Sequence, residues 1–229
     1  MSKQSFLIDE AVHFGWGITK RNFLFFVGIL LLILGIQLVD FLSALLFDLT
    51  DSFLGTLGEL IVSLGVVVIG VIIGMGIIKV ALNFCDNKEN SFATLFSQYK
   101  LFFVYFLASV LYFIIVFLGI ILLIIPGVYL AIRFIFFEYF IIDKKMGIVE
   151  SLKESWKITQ GKFWGVFAFS AALIALNILG ALALLVGLLV TIPISIVAWA
   201  FVYRRISGIE GEEHNSSAST EEGVSRPSY

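Results

Sequence analysis

The sequence predicts an all-α integral membrane protein, and three observations carry that prediction. Of its 229 residues, 60 % are hydrophobic. The mean hydropathy is +1.05. Four stretches, 23–47, 60–82, 101–142 and 163–203, are almost free of charge. Each exceeds the roughly 20 apolar residues that cross a hydrocarbon core of about 30 Å. A water-soluble domain of this length has too little interior to hide all four.

The first residues, with Lys3, Asp9, Glu10, Lys20 and Arg21, lack the short apolar region and small-residue cleavage site of a secretory signal. Span one, about 23–47, is therefore expected to stay as an uncleaved anchor, and span two to cover 60–82. The 101–142 run holds 42 residues, about 63 Å as a single helix. It must turn back, and Pro126-Gly127 is the strong break inside it. Proline removes a helical donor and disfavours helix before it, while glycine permits the turn. Spans three and four are therefore expected at 101–125 and 127–142. The 163–203 run poses the same problem, with its break expected between Gly187 and Pro193, which places spans five and six at 163–186 and 188–205. Backbone in lipid must satisfy its own hydrogen bonds, so each run reads as a helical hairpin.

Positive charge orients these spans. Lys3, Lys20 and Arg21 precede span one, and Lys79, Lys88 and Lys100 fall around the end of span two and before span three. Lys144, Lys145, Lys153, Lys157 and Lys162 separate spans four and five, and Arg204, Arg205 and Arg226 follow span six. The opposite connections, near 48–59, 126 and 187–193, contain no Lys or Arg. Six crossings put every basic cluster on one side, which the positive-inside bias makes the cytoplasmic one, with both termini there. The single cysteine, Cys85, excludes an intrachain disulfide and is expected to be reduced in the cytoplasm.

A short amphipathic segment precedes each hairpin. In 148–163 the stripe is Ile148, Leu152, Trp156, Thr159 and Phe163; in 92–103 it is Phe92, Leu95, Phe96, Tyr99 and Phe103; in 7–18 it is Leu7, Ala11, Phe14 and Ile18. Glu10, Trp16, Ile18, Thr19 and Phe23 align without gaps on Glu150, Trp156, Ile158, Thr159 and Phe163. These identities suggest three units, each a cytoplasmic-side interfacial helix followed by a hairpin; the plainer reading is that any membrane hairpin has an aromatic-edged approach. Lys144, Lys145, Lys153, Trp156 and Lys157 are the expected contacts with inner-face lipid, as general docking to the leaflet. The polar tail, 207–229, is expected to be disordered in the cytoplasm.

Little here points to chemistry. His13 lies in the first amphipathic segment and His214 in the tail, with no nucleophile placed beside either. Metal-ligand spacing and phosphate-cradling glycine loops are missing from the sequence, and neither a cofactor nor nucleic acid is expected. Gly70-x-x-x-Gly74 has the spacing for close helix packing, read first as packing within the bundle and second as a homodimer face. Ala168, Ala171, Ala172 and Ala175 suggest that span five is central. Arg133 and Glu138 both lie in span four, where charges pair or face water. Glu138 is expected to reach out to the cytoplasmic end. Arg133 is expected to find a carboxylate or carbonyl from another span, with Asp40 or Glu59 in reach. A polar transport path would draw on Gln37, Asp40, Asn83, Arg133, Glu138 and Asn177.

One region carries a resemblance. It comprises Ile124-Ile125-Pro126-Gly127-Val128-Tyr129-Leu130-Ala131-Ile132-Arg133-Phe134, then Ile141-Ile142-Asp143, and then the run Glu150-Ser151-Leu152-Lys153-Glu154-Ser155-Trp156-Lys157-Ile158-Thr159-Gln160-Gly161-Lys162-Phe163-Trp164. This region resembles the membrane domain of glycerophosphoryl diester phosphodiesterases and the six-span bacterial membrane proteins related to it. The resemblance implies a bacterial cytoplasmic membrane. In those enzymes hydrolysis belongs to a separate soluble barrel, which needs about 250 residues, so the expectation here is the membrane module without the catalyst. The leading expectation is a non-enzymatic module that organises membrane lipids or docks a protein partner or second copy. The alternative is a small transporter or channel-like subunit.

Overall fold

A computed structural model describes residues 3–48, 52–183 and 186–208. All regular structure among them is helical: α1 (Lys3–Arg21), α2 (Phe23–Asp48), α3 (Phe53–Cys85), two 3-10 turns (Phe92–Phe96 and Tyr99–Leu101), α4 (Phe102–Leu122), α5 (Ile124–Phe134), α6 (Phe137–Lys144), α7 (Ile148–Thr159), α8 (Phe163–Leu182) and α9 (Leu188–Ser207). Six stretches are long and apolar enough to cross a membrane: Phe23–Phe47, Phe53–Cys85, Phe92–Leu122, Ile124–Lys144, Phe163–Leu182 and Leu188–Ser207. Apart from Ser207 and Gly208, the tail expected to be disordered lies outside the described residues.

Both expected break points are displaced. Pro126-Gly127 does not form the turn between spans three and four. The chain reverses at Leu123, which is extended at φ −164° and ψ 139°, and Pro126 sits in the first turn of α5. There a helix has no use for the missing N–H. Gly127 serves close approach, since a Cβ would collide with Ile120 on α4. Pro193 likewise lies inside α9, and the break falls before it, after Leu182 and up to Gly187. The start of α9 is closed by bonds from Leu189 to Val186 and from Val190 and Thr191 to Gly187, so Pro193 lies past the first turn and removes one donor from the ladder.

Neighbours in sequence pack together, α2 along α3, α4 along α5 and α8 along α9. The amphipathic segments pack elsewhere: α1 runs along α9, the turn Phe92–Phe96 lies on α3, and α7 lies on α5 and α6. Each contact is close. A Cβ on Gly15 of α1 would stand 2.7 Å from the Ile194 carbonyl, and one on Gly76 of α3 would meet the Leu95 backbone. Ser155 of α7 reaches the Arg133 carbonyl at 3.1 Å.

Hydropathy follows exposure, and it corrects the choice of central helix. The Leu188–Ser207 stretch has the lowest hydropathy, 1.5, and 56 % of the residues in its 18-residue apolar part are buried, whereas Phe92–Leu122 has 2.7 and 6 %. A lipid-facing surface must be apolar, but a helix wrapped by protein can carry Thr191, Ser195 and Arg204. Span five is peripheral: Ala171 and Ala175 of α8 are exposed. The centre is α9, whose Ala198, Phe201 and Val202 join Ala11, Met75, Phe136 and Phe169 in one core.

Candidate functional site

The helices α3, α6 and α9 finish at the same end of the bundle, and their last residues converge. Arg204 of α9 grips Asp143 of α6 with both terminal nitrogens, at 2.7 and 2.9 Å. Its Nη2 also reaches Asp86, the residue capping α3, at 2.8 Å. Tyr203 donates to Asp143 at 3.1 Å, and Lys88 pairs with Asp86 at 3.4 Å. The guanidinium and both carboxylates are nearly buried. Two negative and two positive groups balance, and a planar fork on two carboxylates is a strong, directional tie. Its carboxylates are already engaged, so the cluster clamps three helices. In the sequence Arg204 is legible only as one of the positive charges that orient the spans. The available signal was that Asp86 and Asp143 follow two spans at the same place.

A second cluster surrounds Arg133, which is only 4 % exposed. Among the described residues no carboxylate or carbonyl is tied to its guanidinium, where one or the other was expected. Its guanidinium lies 4.2 Å over the Trp156 ring and 5.7 Å from that of Tyr129, and its Nε has no hydrogen-bond partner. Asp40 could not serve it, being held between α2 and α3 by Ser63 at 2.8 Å. The gap between α5 and α6 frees backbone groups here, and α7 satisfies them. Ser155 donates to the Arg133 carbonyl and accepts from the Phe136 N–H at 3.0 Å, while Thr159 donates to the same carbonyl at 3.0 Å. Gly161 turns the chain at φ +74°, and Phe163 then packs on Tyr129 at 5.1 Å. Ser155, Trp156, Thr159, Gly161 and Phe163 thus form one contact set with Tyr129 and Arg133.

The other intramembrane candidates lie apart. Glu138 does not reach out to the helix end; it is half-buried in α6, with the Tyr105 hydroxyl of α4 as its hydrogen-bond neighbour. Asn177 donates to Ser195 across α8 and α9 at 2.7 Å, beside a cavity of about 320 Å³ walled mainly by Ile132, Leu173 and Trp199. Asp40 and Gln37 face a groove of about 360 Å³ between α2 and α3. Gly70 and Gly74 open into that groove with nothing near them, so the expected packing role within the bundle does not hold. Lys144, Lys145, Lys153 and Lys157 are exposed, whereas Trp156, expected at the lipid face, is half-buried against Arg133. Among the described residues no group of three or more His, Cys, Asp or Glu could hold a metal ion.

No family model, no curated protein and no solved structure matches this chain.

Proposed function

We propose that the chain is a multi-pass protein of a bacterial cytoplasmic membrane, with both ends inside, acting as a non-enzymatic module that organises lipid or docks a partner. In this reading it is built of three hairpins, each introduced by an amphipathic segment. The observation that carries it is how those segments pack. Each lies on the second helix of the preceding unit, α1 on α9, Phe92–Phe96 on α3 and α7 on α5 and α6, so the units close into a ring. At three matching places the contact is intimate, at Gly15–Ile194, Gly76–Leu95 and Arg133–Ser155. The ring shuts at Arg204, Asp143 and Asp86. The ties Arg204–Asp143, Ser63–Asp40 and Asn177–Ser195 run between helices and serve packing, while the lysines beside α7 face outward. The likeness of 124–164 to the phosphodiesterase membrane domain enters as a further part of this proposal.

One observation favours transport instead: the cavity beside Asn177 and Ser195. Proteoliposomes decide between the two. The module reading expects ion and small-solute flux equal to that of empty vesicles, together with a melting midpoint that rises with inner-membrane lipid. Flux that Asn177→Leu abolishes would establish the transport reading.

A further inference from the structure

The outer side of α7 carries exposed Val149 and Lys153 and half-buried Trp156, spaced so that they line one side of the helix, beside the buried Leu152. With Leu111 of α4 and Phe134 of α5 they line an open groove of about 360 Å³. Its walls are apolar apart from one charge, Lys153. The other charges of α7 are occupied. Glu154 pairs with Lys157 at 3.3 Å, and Glu150 accepts the Gly147 N–H at 3.5 Å, closing the helix start. Among the described residues Lys153 has no ion pair. Behind the groove stands Arg133, on the Trp156 ring, a second positive charge with no ion pair among the described residues.

We propose that this groove is a site for an anionic phospholipid, one acyl chain lying against Leu111, Phe134, Leu152 and Trp156 and the phosphate resting at Lys153. The lysine stem runs along apolar surface while its ammonium stays at the mouth. The unbalanced charge of Arg133 adds to the field there and favours an anion over a zwitterion. The proposal rests on the membrane-module reading above and narrows it from general attraction to a leaflet to one defined groove.

The test is native mass spectrometry of the full chain in detergent, titrated with phosphatidylglycerol or phosphatidylcholine of identical acyl chains. Wild type retains phosphatidylglycerol about fivefold better, the value of one lysine at an anionic headgroup. Lys153→Ala abolishes the preference, and Val149→Trp, at an exposed position of the groove, lowers retention of both lipids. Lys144→Ala, an exposed lysine outside the groove, behaves as wild type. Equal melting midpoints confirm that the variants are folded. A preference that survives Lys153→Ala, or falls equally in Lys144→Ala, overturns the groove while leaving the module reading intact. Solute flux in proteoliposomes would instead overturn the module reading itself.

Discussion

At the scale of residues, the two arginines inside the helical bundle use different chemistry. Arg204 sits on two carboxylates, so removing it leaves Asp86 with the exposed Lys88 and Asp143 with the Tyr203 hydroxyl alone. Breaking a buried pair from one side costs about 3–5 kcal/mol. Arg204→Ala is therefore expected to lower the melting midpoint in detergent steeply, and Arg204→Lys to recover only part, because an ammonium cannot reproduce the fork. Arg133 depends on a ring. A desolvated cation–π contact is worth about 2 kcal/mol, so Trp156→Leu should destabilise clearly more than Trp156→Phe in the same melt. That Arg133 matters was legible in the sequence, because charge within a span is rare. Its aromatic partner was not, because Trp156 lies 23 residues on and meets it only once α7 folds back onto α5.

At the scale of elements, proline and glycine signals marked the right neighbourhoods and the wrong residues. Pro126 lies in the first turn of α5, where a lost donor matters least, whereas Pro193 lies past the first turn of α9. Gly74 and Gly76 make a sharper contrast. Only Gly74 belongs to the spacing that reads as packing in α3, yet it is Gly76 that abuts a backbone, at Leu95, while Gly74 faces open space. Gly76→Ala is expected to cost about 1–3 kcal/mol by overpacking, and Gly74→Ala to be neutral in the same denaturation measurement. The reverse order would refute the seating of Phe92–Phe96 on α3. The amphipathic stripes were legible too, but α7 turns Ser151, Ser155 and Thr159 inward alongside Leu152. Small polar residues fit that interface because it carries unpaired backbone groups.

At the scale of the whole molecule, orientation is the testable claim. In a Cys85→Ser background, Glu150→Cys should react with a membrane-permeant thiol reagent and stay unmodified by an impermeant one in intact cells. Labelling from outside would break the charge alternation on which the six-span reading depends. The all-helical apolar character, the six helices long and apolar enough to cross a membrane and the clustering of positive charge along the chain were all legible in the sequence alone. They follow from the cost of placing polar groups in lipid, which acts on each segment whatever its neighbours. Which helix is central, which glycines are used and which charges meet were decided only by the tertiary structure. Lipid and protein interior are both apolar, so hydropathy hardly separates one neighbour from the other. Residues as distant as Asp86, Asp143 and Arg204 acquire a common role only when the ends of α3, α6 and α9 come together.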